Sequence, residues 1–143
     1  MLPKKTNQSS QTNSVILRPI PRDIPTGENI SPASLSIETE HDHYPLSTTE
    51  VKITITNHSH YEYECGEKYS LAYYNKSKRQ WETLPTDPVV NDILWIFPPE
   101  LPSHQQTIKL YTSESPNHPG KYRIYKSFNR GTKVAYGEFE LLP

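Results

Sequence analysis

Residues 119–128, PGKYRIYKSF, join a Pro-Gly turn to a strand whose side chains alternate in character. Residues 51–57, VKITITN, alternate in the same way, with Val51, Ile53 and Ile55 on one side and lysine and threonine on the other. A period of two is typical of a strand with one buried face and one hydrated face. The two segments therefore predict two inner strands of one antiparallel β-sandwich.

The composition favours a single all-β domain. A length of 143 residues fits one domain, with or without a tail. The chain has 14 prolines against 5 glycines, and a proline inside a helix costs about 3 kcal/mol. Its 10 tyrosines favour strands and half-buried surfaces. The single cysteine, Cys65, excludes an intrachain disulfide, so the aromatic and aliphatic core has to hold the fold.

Turn signals divide the chain into about seven predicted strands. We predict them at residues 34–40, 50–57, 68–74, 80–84, 105–111, 122–128 and 133–142. The apolar positions predicted to face inward on the other strands are Leu35, Ile37, Tyr69, Leu71, Tyr73, Phe139 and Leu141. Residues 93–97, ILWIF, are a short strand or one turn of helix. Because one sheet alone cannot hide its apolar face, two sheets must pack together, which predicts an immunoglobulin-like antiparallel β-sandwich.

The first 32 residues differ in composition from the rest. Asn, Gln, Ser, Thr and Pro dominate residues 1–32, which predicts a flexible, extended tether before a sandwich domain at residues 33–143. In the alternative interpretation, residues 15–20 add an edge strand to the sandwich. Residues 1–14 contain two lysines but no apolar stretch behind them, so we see no signal peptide in this sequence.

Several pieces of the chain resemble a known family in order and spacing. They are VKITITNHS, GEKYSLAYYNKSKRQWETLP, QTIKLY, PGKYRIYKSF and YGEFELL, and they cover roughly the last two-thirds of the sequence. This part is similar to the bacterial immunoglobulin-like domains of exported proteins, mainly of Gram-positive bacteria. One departure is Pro102-Ser103-His104, where the family usually has Pro-Gly. The resemblance implies the sandwich fold, no shared catalytic residues, and export with a signal or lipid anchor upstream.

Charge and hydropathy limit the classes of partner. The net charge of −1 gives no basis for nucleic-acid binding. No run approaches the ~18 apolar residues of a membrane span. We expect a monomer without cofactors, located outside the cytoplasm, either secreted or attached to the cell envelope. We interpret the basic side chains on strands and at a hairpin tip as solvated: Lys76, Lys78, Arg79, Lys121, Arg123 and Lys126.

Histidine pairs raise the question of a metal site. Two pairs place imidazoles two residues apart: His41 and His43, and His58 and His60. Imidazole suits zinc or copper. The pairs flank the strand at residues 50–57, and at ~3.3 Å per residue they lie roughly 23 Å apart. We therefore interpret them as solvated loop residues and expect no metal.

The sequence gives only weak signals for catalytic residues. Cys65 precedes a glycine near a strand and lacks an evident base with an orienting group, so we interpret it as a small core or turn cysteine. Glu62, Glu64 and Glu67 alternate with tyrosine and cysteine, as expected for the hydrated face of a strand. The sequence thus predicts a protein that is not an enzyme.

The best candidate for a binding site is the proline-bounded segment 91–99. Loops on a rigid sandwich commonly carry binding residues, and here we select Asn91, Trp95 and Phe97. The predicted function is a non-enzymatic interaction or spacer module whose partner is a protein or a cell-wall glycan. The alternatives are a proteinase inhibitor that uses the sandwich loops and a carbohydrate-binding module that uses exposed aromatic rings.

Overall fold

The computed structural model describes residues 19–88, 93–113 and 115–143, in which there are twelve strands and no helix. The strands are β1 (Ile20–Pro21), β2 (Glu28–Asn29), β3 (Leu35–Thr39), β4 (His43–Pro45), β5 (Glu50–Asn57), β6 (Tyr63–Cys65), β7 (Ser70–Asn75), β8 (Gln80–Thr86), β9 (Trp95–Phe97), β10 (Ser103–Lys109), β11 (Gly120–Phe128) and β12 (Lys133–Leu142). The seven longer strands coincide with the seven predicted ones. The all-β prediction is confirmed, and the segment predicted as a strand or a helical turn is the strand β9.

The seven longer strands form the two faces of a sandwich. The larger sheet has the order β1-β8-β7-β11-β12-β2, and β4 also pairs with β12. The smaller sheet has the order β10-β5-β3. The longer strands pair antiparallel, whereas the short β2 and β4 run parallel to β12. A separate two-stranded ribbon, β6 with β9, completes the architecture.

The predicted inner faces form the core. Val51, Ile53 and Ile55 on β5 are at most 1% exposed and face the larger sheet, as their alternation predicts. The inward positions predicted on the other strands are also buried, except for Tyr73, which packs half-buried against the same cluster. Leu110 is buried just beyond the end of β10, where its N–H donates to the carbonyl of Thr49.

The two ends of the sandwich are built differently. At one end, β5 ends at Asn57, β11 ends at Phe128, and the ribbon of β6 and β9 packs against both residues. We call this the capped end. At the other end, the rings of Tyr122 and Phe139 stack at 5.3 Å between centroids, and Tyr44 meets Phe139 edge-on at 5.7 Å. We call this the opposite end.

Residues 19–32 contact the sandwich before β3 begins. Ile20 pairs with Thr86 through β1 and β8, and the Arg22 Nε donates to the Thr86 Oγ1 at 2.9 Å. β2 pairs with β12 further along. Residues 1–18, and with them most of the alternative edge strand, lie outside the described residues. The division into a tether at 1–32 and a domain at 33–143 stays a prediction.

Candidate interaction surface

The ribbon has one buried face and one exposed face. Tyr63 pairs with Phe97, and Cys65 pairs with Trp95, so these four side chains share the inner face. Of them Tyr63, Cys65 and Phe97 are buried and Trp95 is half-buried. Between the two pairs, Ile96 lies opposite Glu64 on the outer face and is 53% exposed. The ribbon thus presents an apolar side chain to solvent while its reverse side extends the core.

Asparagine side chains attach the ribbon to the ends of the long strands. The buried Asn57 donates from its Nδ2 to the carbonyls of Tyr61 and Phe97, both at 2.7 Å. The Asn129 Oδ1 accepts from the Glu64 N–H at 3.0 Å, and the Asn129 N–H donates back to the Glu64 carbonyl at 2.9 Å. Asn57 therefore holds β9 and Asn129 holds β6, in each case by satisfying backbone groups of the ribbon.

Trp95 is packed against its neighbours rather than standing free. Its ring lies 4.1 Å from the His104 ring between centroids, and the Lys126 Nζ lies 5.3 Å from its centroid. Burial, followed by the nearby Lys126 ammonium, lowers the pKa of His104. At neutral pH the Trp95 ring therefore contacts an uncharged imidazole and an ammonium group.

Lys126 is fully buried, so its interpretation as a solvated lysine is wrong. It is 0% exposed, and its Nζ donates to the Gly66 carbonyl at 2.6 Å and to the Gln106 Oε1 at 2.8 Å. Burial lowers its pKa from 10.5 to about 8, against a smaller opposite effect of Cys65 and Glu67. The alternation of β11 contains the signal that reveals it, because Lys126 follows Ile124 on the inward face.

Cys65 is a core cysteine, as its interpretation from sequence states. It is 4% exposed, and burial raises the pKa of its thiol to about 11. A thiol with a raised pKa in an apolar environment is a poor nucleophile. Its place in the ribbon is structural, opposite Trp95.

Exposed apolar side chains concentrate on the ribbon and its flanks. Of the eight large hydrophobic side chains exposed in the described residues, five belong to this region. They are Tyr61, Ile93, Leu94, Ile96 and Leu101, between 45% and 75% exposed. Single exposed apolar residues are ordinary, but a concentration of them in and around one short element is typical of an interaction site.

A groove runs between the ribbon and the turn that joins β11 to β12. Its volume is about 470 Å³, and Ile93, Leu94, Cys65 and Arg130 contribute to its lining. A second cleft of about 450 Å³ lies beside β10, and Trp95 contributes to its lining. Carboxylates from Glu50, Glu67 and Asp87 dominate the charge of that second cleft, against one lysine, Lys109. Glu64, Glu67 and Lys68 also line the groove, so it combines two exposed apolar side chains with charged ones, whereas the second cleft is acidic.

The structure places the three selected site residues differently. Trp95 lies on the inner face of the ribbon, and Phe97 is 1% exposed in the core. Asn91 lies outside the described residues. The exposed apolar side chains of this segment are Ile93, Leu94 and Ile96, which a pattern of continuous hydrophobicity does not separate from the buried ones. The selection of Asn91, Trp95 and Phe97 as binding residues stays a prediction.

The histidines lie in separate surroundings. The His58 Nε2 is 2.9 Å from the Ser36 Oγ, whereas His41 contacts Tyr44 at the opposite end. Within the described ranges, no group of three or more side chains is arranged to hold a metal ion. In the same ranges, no helix is long and apolar enough to cross a membrane.

Comparisons with known proteins identify the family. Residues 31–140 match the bacterial Ig-like domain, and the chain belongs to that family. Such domains are commonly extracellular and generally non-catalytic. No curated protein matches the sequence.

Among solved structures, the chain is similar in part to two larger proteins. One is the Pseudomonas fluorescens alkylpurine DNA glycosylase AlkC bound to DNA containing an abasic site analog, with 12% identity and a TM-score of 0.41 over 78% of this chain and 31% of that one. The other is the Listeria innocua beta-glucosidase in complex with glucose, with 13% identity and a TM-score of 0.37 over 76% of this chain and 16% of that one. The chain thus spans less than a third of either protein.

Proposed function

We propose that this bacterial Ig-like domain is a non-enzymatic interaction module outside the cytoplasm, and that its binding surface is the outer face of β9 together with the two exposed residues that precede this strand. We call this surface the ribbon patch and define it by Ile93, Leu94 and Ile96. Membership of a commonly extracellular family supports the location. The partner is a protein of the cell envelope or of the secreted fraction.

The observation that carries the proposal is the contrast between the two faces of the ribbon. The outer face exposes Ile96, and Ile93 and Leu94 precede it, all at 45% exposure or more. The inner face is held by Phe97 and by the Asn57 amide. A rigid scaffold that presents exposed apolar side chains loses little conformational entropy when it binds, which favours association.

The structure also explains why Trp95 is a poor probe of binding. Its ring covers the buried Lys126 and packs on His104. An alanine at Trp95 would expose the ammonium and open a cavity, so a loss of binding would report damage to the domain. The ribbon patch can instead be changed at positions whose side chains face solvent.

The test compares three versions of the full chain in capture from envelope and secreted bacterial fractions. They are the unchanged protein, the patch variant Ile93→Ser/Leu94→Ser/Ile96→Ser, and the control variant Tyr136→Ser/Leu142→Ser. The control removes two other exposed apolar side chains, which are 41% and 43% exposed on β12. Thermal melts followed by circular dichroism should show the same midpoint for all three.

We expect a protein that is enriched by the unchanged chain and the control and lost by the patch variant. Equal enrichment by all three would contradict the ribbon patch. An enriched protease would direct the next experiment to inhibition. If the patch variant still co-sediments with purified cell wall, the partner is instead a glycan that binds outside the ribbon patch.

A further inference from the structure

Lys126 is a buried charge without a carboxylate partner. It is 0% exposed, and none of the ion pairs among the described residues includes it. Burying an unpaired ammonium is costly compared with an apolar side chain of similar volume. Such a group is therefore expected to contribute something other than global stability.

The contacts of Lys126 join four separate elements. Lys126 belongs to β11. Its Nζ donates to the carbonyl of Gly66, which directly follows β6, and to the Gln106 Oε1 on β10. The same Nζ lies over the Trp95 ring on β9. Gln106 in turn donates from its Nε2 to the Glu67 carbonyl at 2.9 Å. A single ammonium thus connects both sheets with both strands of the ribbon.

We propose that Lys126 is the positioning residue of the ribbon: by binding Gly66, Gln106 and Trp95 together, it fixes the one placement of β6 and β9 that presents the ribbon patch. The positioning role stands on geometry alone, and its consequence for binding rests on the proposed function. An apolar side chain at this site would fill the volume but would leave two acceptors without donors and allow the ribbon to shift.

The titratable groups around the ammonium give the role a pH signature. Cys65 on β6, Glu67 after it and His104 on β10 interact with Lys126 electrostatically. Burial lowers the pKa of Lys126 to about 8, while an ammonium exposed by an open ribbon keeps an ordinary pKa near 10.5. Opening the ribbon therefore takes up a proton at pH values between these two. Opening becomes less favourable as pH rises above about 8.

The first test is hydrogen exchange of the full chain in Lys126→Met, with Lys121→Met as the matched control. Methionine keeps an unbranched stem and removes the donors, and Lys121 is an exposed lysine on the same strand. We expect the amides of β6 and β9 to exchange about tenfold faster in Lys126→Met, with the amides at the opposite end unchanged. The control should match the unchanged protein throughout.

The second test needs no substitution at Lys126. In Trp81→Phe, Trp95 is the only remaining tryptophan, and its emission reports the charge over its ring. We expect a change centred near pH 8, separate from the change that His104 produces below pH 6.5. The upper transition should vanish when Lys126→Met is added.

The outcomes separate this proposal from the function of the patch. Unaltered exchange of the ribbon in Lys126→Met overturns the positioning role. Should that variant fail to fold, a Trp95 emission that shows no titration of a neighbouring ammonium at any pH up to 10.5 overturns it instead. A ribbon that exchanges faster while its captured partner is unaffected leaves the positioning role standing and contradicts the binding surface instead.

Discussion

The two ends of the sandwich close the core with different kinds of side chain. The opposite end closes with aromatic rings, in which Tyr122 stacks on Phe139 and Tyr44 meets the same ring edge-on. The capped end also uses rings, Phe97 against Phe128 at 6.3 Å, but adds the buried Lys126 and its hydrogen bonds. Apolar contacts tolerate small slips, whereas buried hydrogen bonds do not. The capped end is therefore the one built to hold an element in a defined position.

The comparison extends to one asparagine at each end. Asn57 at the capped end donates to two carbonyls and is 4% exposed. Asn117 at the opposite end donates to the carbonyls of Leu46 and Thr48 at 2.8 and 2.9 Å, but is only half-buried. The same chemistry fixes a loop in both places, and only at the capped end is it shielded from water.

The largest expected effect comes from truncating one ring at each end. Phe97→Ala and Phe139→Ala should each lower the free energy of unfolding by about 3–5 kcal/mol, because both rings are almost fully buried. Only Phe97→Ala should also remove amide protection from β6. Chemical denaturation and hydrogen exchange together check this. Equal loss of protection at β6 in both variants would show that the ribbon is an ordinary part of the core.

The asparagine pair gives the next effect. Asn57→Ala should cost about 2–3 kcal/mol, since it leaves buried carbonyls unsatisfied, and Asn117→Ala about 1 kcal/mol, since water can replace its amide. Urea denaturation of the two variants provides the measurement. A larger cost at Asn117 would reverse the contrast between the ends.

The pH dependence of stability is a smaller effect, with a definite sign. Above about pH 8 the folded chain has lost the Lys126 proton that the unfolded chain keeps up to about pH 10.5. Stability should therefore rise from pH 8 to 9 by about 1 kcal/mol, and Lys126→Met should abolish the rise.

Cys65 opposes this rise at higher pH. Its pKa of about 11 in the folded chain exceeds 9.0 in the unfolded chain, so stability linked to the thiol is lost as pH rises from 9 towards 11. Cys65→Ala should extend the rise towards pH 10. If stability still rises from pH 8 to 9 in Lys126→Met, a group other than Lys126 causes the rise.

The smallest expected effect concerns one exposed ion pair at each end. Lys133 pairs with Glu28 near the capped end, and His43 lies 3.6 Å from Glu140 at the opposite end. Glu28→Gln and Glu140→Gln should leave the thermal midpoint unchanged, because exposed pairs contribute little. A clear loss in either variant would mean that surface charge, and not the interior, distinguishes the ends.

The long strands could be predicted from sequence because their pattern is local. Turn signals located the seven long strands, and alternation assigned Ile53 and Leu141 to the core correctly. The ribbon was harder, since β6 and β9 are three residues each and pair across about thirty residues of chain. Within β9, alternation over three residues cannot say which side faces solvent.

Lys126 shows a different limit of sequence reasoning. The period of β11 places Lys126 inward between Ile124 and Phe128, whereas its charge favours a solvated side chain. What stabilises it is contact with Gly66 and Gln106, which are distant in sequence. A buried lysine can therefore be suspected from strand periodicity, while its acceptors require the tertiary structure.

The most direct test of the ribbon patch is photo-crosslinking in living bacteria that produce the full chain. A photoreactive phenylalanine analogue replaces Ile96 on the ribbon or, as the control, Tyr136 on β12; both side chains are exposed. We predict one discrete crosslinked species from position 96 and none from position 136. A species that forms from position 136 and not from position 96 would contradict the assignment of the binding surface to the ribbon.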